Sequence, residues 1–188
     1  VLKRVGDLML EQKDAIAFEM TREMGKVFAE TKGDTQEGID TAYYAASEGR
    51  RLFGYNAPSE LPNKMNLSFR VPIGVGGFIT PWNFPMAIPT WKLFPALVCG
   101  NTCVFKPAEL TPKTANTLVK IIDRAMKEVL GNDYIPGVIN LVHGKGSVVG
   151  EVLISDPDIN LISFTGSSSV GKRINEVAGK SLKRVSLE

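Results

Sequence analysis

The sequence lacks several features that mark common classes of function. No uninterrupted apolar run approaches the roughly 20 residues that a membrane-spanning helix needs. The opening stretch, VLKRVGDLMLEQKD, carries charges where a secretion signal would have its apolar core. The 22 basic and 20 acidic residues are spread along the chain, so no basic block favours nucleic acid or an anionic lipid surface. These absences predict a soluble, cytoplasmic protein without nucleic-acid or membrane partners.

Cysteine and histidine are also scarce. Cys99 and Cys103 are the only cysteines and flank a predicted turn in LVCGNTCVF. No further cysteine or histidine cluster completes a zinc site, so we predict no metal centre and two buried, reduced thiols. His143 is the only histidine. Since no nucleophile with a matching third partner is evident for it, we expect it to have a structural role in a loop.

What the sequence does contain is enough apolar material for a core. The chain has 188 residues, of which 44% are hydrophobic, and this is sufficient for one compact domain or one with an appendage. Apolar spacing predicts a helix over about 1–20 and another over 35–54, and the aperiodic residues 55–64 predict a connector. From residue 65 onward the pattern changes to short apolar runs that alternate with helices.

The alternating region predicts a parallel sheet. Its five apolar runs are too short for helices, and several are apolar throughout, which is typical of strands covered on both faces. The predicted strands lie within 73–80, 102–107, 137–142, 159–164 and 183–188, and the predicted helices cover about 85–98, 112–130, 147–154 and 169–178. For the clearest of these helices we predict Thr111 as N-cap, Pro112 in the first turn and Gly131 as C-cap. In such a sheet the ligand lies beyond the carboxyl ends of the strands.

Two glycine- or serine-rich motifs follow predicted strands. In HGKGSVVG, the glycines Gly144, Gly146 and Gly150 approximate a dinucleotide fingerprint with one residue too many, and a tight strand-to-helix turn is the alternative explanation. In SFTGSSSVGK, residues 165–167 open a helix, where free N–H groups and hydroxyls suit a phosphate. Ordinary capping by serine explains that motif equally well.

Two further strand ends carry polar side chains. In FKPAE, Lys106 leaves a strand and Glu109 follows, and a carboxylate there suits the hydroxyls of a ribose, whereas a solvated ion pair is the alternative. In GFITPWNFP, two prolines restrict the backbone on both sides of Asn83. The side-chain NH2 could then be aimed at an oxygen that gains negative charge, although asparagine and proline also commonly form turns.

Five stretches, in this order and spacing, resemble the aldehyde dehydrogenase superfamily. They are GFITPWNFP, WKLFPALVCGNTCVFKPAELTP, IPGVINLVHGKG, ISFTGSSSVGK and KRVSLE. The upstream TREMGKVFAET resembles that family's Glu-x-Gly-Lys segment, so the resemblance runs over essentially the whole chain. It implies an α/β fold with a Rossmann-like parallel sheet flanked by helices and preceded by N-terminal helices. Residues 1–64 would form the N-terminal helices and connector, and residues 65–188 the NAD-binding region.

The resemblance also implies a reaction. In that family a cysteine thiolate attacks an aldehyde, the resulting thiohemiacetal gives hydride to a nicotinamide, and a glutamate activates the water that releases the acid. Asn83 would help to form the oxyanion hole, and Glu188 would be the general base. Phe84 and Trp91 would line the aldehyde tunnel. The expected partners are therefore an aldehyde substrate and, in the full-length form, further copies of the same chain.

A set of cofactor-binding residues is likewise implied. Ser167 would contact the pyrophosphate, Gly146 and Gly150 would allow close approach, and Lys106 with Glu109 would hold the adenine ribose. Glu109 favours NAD, with NADP also possible. The whole implied set is Ile79, Thr80, Pro81, Trp82, Lys106, Glu109, Gly146, Gly150, Phe164, Thr165, Gly166 and Ser167.

The sequence stops at Glu188, which matches the glutamate of the family's Glu-Leu-Gly-Gly-Lys motif, before the family's later cysteine nucleophile. Neither Cys99 nor Cys103 falls at the nucleophile's place. We therefore expect an incomplete piece of a longer aldehyde dehydrogenase, inactive by itself without the thiolate. The alternative is a naturally short, catalytically inactive protein that binds a nucleotide or partners another subunit.

Overall fold

Three helices open the chain in the computed structural model, which describes residues 1–188. They are α1 (Leu2–Glu11), α2 (Lys13–Met24) and α3 (Phe28–Glu48), and a 3₁₀ turn at Gly49–Arg51 follows α3. Gly25 ends α2 with a φ of 79°, a left-handed conformation that glycine adopts without a side-chain penalty.

The helix bounds differ from those that apolar spacing predicts. The expected helix over 1–20 is two helices that break at Gln12, whose φ of −114° and ψ of 12° leave the helical region. The expected helix over 35–54 begins seven residues earlier, at Phe28, and ends at Glu48. The first turns of α3 are largely polar, so hydrophobic periodicity gave no signal for them.

A small hairpin interrupts the predicted connector. β1 (Asn56–Pro58) and β2 (Met65–Leu67) pair in antiparallel orientation, and all six residues are exposed. The prediction that 55–64 lacks regular structure is therefore wrong at β1. Strands of three residues are too short for alternation to be recognised in the sequence.

The main sheet has five strands that are all parallel. They are β3 (Val75–Ile79), β4 (Thr102–Lys106), β5 (Ile139–Leu141), β6 (Leu161–Phe164) and β7 (Arg184–Leu187), and their order across the sheet is β5-β4-β3-β6-β7. The chain moves outward from β3 to β5 and then returns to the other side of β3. This reversal opens a crevice at the carboxyl ends of β3 and β6. The predicted α/β fold with a parallel sheet and N-terminal helices is confirmed.

Helices cover both faces of the sheet. They are α4 (Ala87–Val98), α5 (Pro112–Leu130), α6 (Glu151–Ser155) and α7 (Ser168–Gly179), and a π-helical turn at Gly146–Gly150 leads into α6. The predicted ends of α5 are confirmed: Thr111 is at the N-cap, Pro112 is the first residue and Gly131 is at the C-cap. None of the seven helices combines the length and apolar character that crossing a membrane requires.

Two apolar clusters hold these layers together. The larger contains 22 buried residues and joins α1, α2 and α3 to α4, α5 and one face of the sheet. The smaller lies beneath α6 and α7 on the opposite face and consists of Leu153, Ile154, Ile159, Ile162, Phe164 and Ile174. The inner strands are therefore packed on both faces. The expectation of strands covered on both faces is wrong for β7, an outer strand whose four residues are all exposed.

The two thiols differ from the prediction that both are buried. Cys103, on β4, is fully buried in the larger cluster, as expected. Cys99 is exposed, because it lies at the C-cap of α4, where the chain turns toward β4.

Candidate functional site

The carboxyl ends of β3 and β6 border a cavity of about 440 Å³, which we call the strand-end cavity. Its far wall is formed by the π-helical turn, α6 and the start of α7. Most of the predicted cofactor residues meet in its lining, namely Ile79, Thr80, Pro81, Gly146, Gly150, Phe164, Thr165, Gly166 and Ser167. Trp82, Lys106 and Glu109 lie outside this lining. The sheet therefore brings together residues that are up to 88 positions apart in sequence, from 79 to 167.

The glycines in and near this cavity are explained in different ways. Gly144 lies outside the lining and has a φ of 148°, so the tight turn after β5 accounts for it. A Cβ built on Gly146 or Gly150 meets no other atom within 4 Å, so each leaves open space at the cavity wall. At Gly166 a Cβ would come within 2.5 Å of the Phe164 ring, so packing favours glycine there.

Two polar features add binding capacity to the cavity wall. The Thr80 hydroxyl is buried and has no hydrogen-bond partner within the chain. Ser167 is the N-cap of α7, and its hydroxyl accepts a hydrogen bond from the Val170 N–H at 3.4 Å, so the capping explanation of this serine is correct. Capping leaves other N–H groups of the first turn of α7 without partners in the helix, at the positive end of its dipole.

Lys106 and Glu109 lie beside the cavity, at and beyond the end of β4. Lys106 is only 3% exposed, and its Nζ donates to the Pro107 carbonyl at 2.8 Å. Burial lowers the pKa of Lys106, and the charge of Glu109 acts in the opposite direction. Glu109 Oε1 accepts from the Gly146 N–H at 3.2 Å, so its carboxylate is held against the π-helical turn that borders the cavity.

The Asn83 loop lies at the same edge, between β3 and α4. Trp82, Asn83 and Phe84 form one wall of a second pocket of about 680 Å³, whose other wall is the end of α2 and the first half of α3. Asn83 is exposed, and its side-chain amide is free of hydrogen bonds within the chain. Phe84 and Trp91, the predicted substrate residues, are 39% and 44% exposed, but only Phe84 lines this pocket.

Glu188 is hydrogen-bonded to residues that line the strand-end cavity. Its backbone pairs with β6 and the following turn, since its N–H donates to the Phe164 carbonyl and its carbonyl accepts from the Gly166 N–H. Its Oε2 accepts from the Thr165 hydroxyl at 3.0 Å and lies 3.3 Å from Nζ of Lys92. Glu188 therefore lies beside residues that line the cavity, and its role as general base stays a prediction.

Sequence reasoning missed Lys92 as a member of the site. Its side chain is 4% exposed, and its Nζ also donates to the Ser163 hydroxyl at 3.3 Å. The available signal was a lone lysine in the otherwise apolar helix IPTWKLFPALV. Lysine is rarely buried without a partner, so its position in that helix already required one.

The structural role expected for His143 stays a prediction. His143 Nε2 lies 3.1 Å from the side-chain nitrogen of Asn116 on α5, and His143 is absent from the cavity lining.

Comparison with known proteins decides the family. The model of the aldehyde dehydrogenase family matches residues 1–188, the whole chain. This chain belongs to the aldehyde dehydrogenase family. Among the aldehyde dehydrogenases, alpha-ketoglutaric semialdehyde dehydrogenase of Bacillus subtilis is 48% identical over 178 residues, which cover 94% of this chain and 35% of that relative. Retinaldehyde dehydrogenase 3 of Rattus norvegicus is 44% identical over 190 residues, covering 100% and 36% respectively.

Solved structures of related proteins have the same fold. Betaine aldehyde dehydrogenase of Staphylococcus aureus, solved in complex with NAD+, superposes with a TM-score of 0.93 at 31% identity and covers 100% of this chain. An NADP-dependent enzyme of E. coli gives a TM-score of 0.93 at 40% identity, also over 100% of this chain. The matched region is 36% of the first structure and 37% of the second. The chain thus spans little more than a third of the length of its aldehyde dehydrogenase relatives.

Proposed function

We propose that this chain is the cofactor-binding part of an NAD(P)-dependent aldehyde dehydrogenase, which in its complete form oxidises an aldehyde to a carboxylic acid. One observation carries the proposal: the motifs that resemble the family's cofactor and catalytic segments converge on one edge of one sheet, around the strand-end cavity. In this proposal residues 1–64 form the N-terminal helices and connector, and residues 65–188 form the cofactor-binding unit.

The cavity fits a dinucleotide. Gly146 and Gly150 leave space that any larger side chain would fill, which allows a ligand to approach the backbone closely. The N-terminus of α7 would hold the pyrophosphate, with Ser167 beside it. Glu109, held at the π-helical turn, is placed to accept the hydroxyls of a ribose and would repel a 2′-phosphate, so we favour NAD over NADP.

Asn83 and Glu188 would perform the chemistry that this chain contributes. The exposed amide of Asn83 would donate a hydrogen bond to the aldehyde oxygen as negative charge develops on it, after attack by a cysteine thiolate outside this sequence. Glu188, oriented by Thr165 and Lys92, would take a proton from the water that hydrolyses the thioester. What the nicotinamide supplies when bound is a hydride acceptor.

The thiols of this chain support the requirement for an outside nucleophile. Burial raises the pKa of Cys103 to about 12, so its sulfur stays protonated near neutral pH and is a poor nucleophile. Cys99 lies ahead of β4, at the amino edge of the sheet, opposite the cavity. We therefore propose that the 188-residue chain alone is inactive and that the active protein is longer.

An exposed apolar segment supports assembly. In the segment around the hairpin, Tyr55, Phe69 and Val71 are more than three-quarters exposed, at 78%, 79% and 78%. Exposed apolar patches of this kind commonly mark surfaces that pack against further protein. We propose that this segment is covered in the complete protein, which we expect to be a cytoplasmic homo-oligomer.

The first test is the intact mass and activity of the natural polypeptide that carries this sequence. We expect a polypeptide well above 20.5 kDa that reduces NAD in the presence of an aldehyde. Semialdehydes that carry a carboxylate and long apolar aldehydes should both be tried, since relatives named for each are similar to this chain. A native product near 20.5 kDa that binds NAD and oxidises no aldehyde would instead support the alternative of an inactive nucleotide-binding or partner protein.

A further inference from the structure

Two charged residues lie unusually close to the Asn83 loop. Lys26 follows α2, and Asp34 is on the second turn of α3; their side chains are 11% and 0% exposed. The Lys26 Nζ lies 3.5 Å from Asp34 Oδ2 and 3.5 Å from the centre of the Phe84 ring. A buried carboxylate and a nearly buried ammonium are thus placed beside the loop that carries the proposed oxyanion donor.

The pair contacts the chain at two points around Phe84. Lys26 Nζ donates to the backbone carbonyl of Asn83 at 3.0 Å. The N–H of Ala87, the first residue of α4, donates to Asp34 Oδ1 at 2.7 Å. The three residues between these two positions, 84–86, connect Asn83 to the helix. Since Lys26 and Asp34 also attract each other, the two anchors form one connected unit.

Stability alone is a weak explanation for this arrangement. Burial raises the pKa of Asp34, while its hydrogen bond from Ala87 and the charge of Lys26 lower it. Asp34 Oδ2 has no hydrogen-bond partner, so its desolvation is only partly compensated. Buried ion pairs are often no more stabilising than apolar residues of similar size. A costly buried pair that holds one particular loop is better explained by the geometry it fixes.

We propose that Lys26 and Asp34 are positioning residues that fix the backbone on both sides of Phe84 and thereby set the direction of the Asn83 side-chain amide. This inference rests on the proposed function, in which that amide stabilises the developing oxyanion. Neither residue touches the reacting atoms in this scheme. Their contribution is made through Asn83, and Lys26 also holds the ring of Phe84 in place.

The test uses the complete polypeptide and four variants: Lys26→Met, Lys26→Arg, Asn83→Ala, and the double variant Lys26→Met/Asn83→Ala. We expect Lys26→Met to lower kcat/KM for the aldehyde by about tenfold to a hundredfold, because misplacement by about 1 Å is known to have effects of that size. The Kd for NAD should change by less than about twofold. Lys26→Arg should recover most of the activity, because a guanidinium keeps the charge and the donors.

The double variant separates positioning from general destabilisation. If Lys26 acts through Asn83, then Asn83→Ala should cause a much smaller further loss in the Lys26→Met background than in the wild type. Additive losses, or a Lys26→Met enzyme as active as wild type, would overturn the inference. Lys32→Met is the matched control. Lys32, on α3, likewise pairs with an acidic residue (Asp14, 2.9 Å) and faces an aromatic ring (Phe28), but neither partner belongs to the Asn83 loop. It should leave kcat/KM unchanged.

Two further measurements keep the inference testable. Should Lys26→Met fail to fold because Asp34 is left unpaired, Lys26→Met/Asp34→Asn removes both charges together, and the same loss of kcat/KM is expected from it. Should the wild type oxidise no aldehyde, the proposed function fails independently, and crystal structures of wild type and the charge-free double variant decide the positioning role. An Asn83 amide in the same place in both would overturn it, and a displaced amide would support it.

Discussion

The two edges of the five-stranded sheet use the same residue type in opposite ways. At the amino edge, Asn101 Oδ1 accepts from the N–H groups of Ile73 and Gly74 at 2.7 and 3.1 Å. Asn160 Oδ1 there accepts from the Val75 N–H at 2.9 Å. At the carboxyl edge, the Asn83 amide is exposed and makes no hydrogen bond within the chain. The asparagines at the amino edge are used by the fold, whereas the Asn83 amide at the carboxyl edge is available to a ligand.

Two glycines, one at each edge, show a similar difference. Gly74, at the amino edge, has a φ of 121°, and a Cβ there would lie 2.3 Å from Asn160 Oδ1. Gly150, at the carboxyl edge, has an ordinary helical φ of −61° and open space where a Cβ would be. The fold therefore requires glycine at the first position and merely permits it at the second. A glycine or asparagine that the fold does not require is thus a better indication of function than one that the fold requires.

The largest expected effect is on catalysis, from Asn83→Ala in the complete polypeptide. Removal of one donor from an oxyanion site lowers kcat by about 10²–10³-fold in known enzymes, and a similar loss is expected here. The midpoint of thermal unfolding should stay the same, since the amide makes no internal hydrogen bond. Steady-state kinetics and a thermal melt check this. A variant with normal kcat would remove the functional difference between the two edges.

Asn101→Ala should lower the stability of the fold and leave kcat unchanged. It leaves two backbone N–H groups without their acceptor and also removes the donor to the Ala96 carbonyl, which its Nδ2 reaches at 3.0 Å. The free energy of unfolding should fall by about 3 kcal/mol, on the basis that each buried unsatisfied group costs roughly 1–3 kcal/mol. Urea denaturation measures this loss. The folded fraction should keep its kcat, and a selective loss of kcat would show that the amino edge also takes part in catalysis.

A third, smaller effect concerns the cofactor. Gly150→Ala should weaken NAD binding by about tenfold, the scale of one methylene in a filled pocket. The fold should tolerate the change, because the φ of −61° and ψ of −44° suit alanine and no atom lies within 4 Å of the new Cβ. Titration of NAD followed by fluorescence provides the affinity. Gly179→Ala, at the far end of α7 and also free of contacts, is the control and should bind NAD normally.

Much of the fold was predictable because periodicity reports burial. Strands β3, β4 and β6 and helix α5 are predictable, since short apolar runs and a long amphipathic stripe both mark contacts with the core. The prediction of β7 is right although all four of its residues are exposed. The break at Gln12, the polar start of α3 and the three-residue strands β1 and β2 were not predictable. None of these has a hydrophobic pattern of its own, and tertiary contacts decide them.

The candidate site was predictable to the extent that strand ends identify it. The nine cavity residues are implied by the resemblance to the aldehyde dehydrogenases, and the parallel topology explains why they meet at one edge of the sheet. Lys92, Lys26 and Asp34 were missed, because burial of a charge depends on which helices pack together, and the sequence does not show this. Lys26 contacts Asn83, which is 57 positions away, and Lys92 contacts Glu188, which is 96 positions away.

The smallest expected effect comes from Cys99→Ser. This variant tests whether the amino edge of the sheet has any part in catalysis. Cys99 is the exposed thiol of the chain and is open to chemical modification. It lies at the amino edge of the sheet, whereas ligands of such sheets bind at the carboxyl ends of the strands. In the complete polypeptide the variant should keep kcat within about twofold, since no cavity residue or proposed catalytic group depends on that sulfur. Iodoacetamide followed by peptide mapping should modify Cys99 in the folded 188-residue chain and spare Cys103, whose burial raises its pKa to about 12. If Cys99→Ser abolished aldehyde oxidation, the nucleophile would belong to this chain after all, and the division between a structural amino edge and a functional carboxyl edge would have to be abandoned.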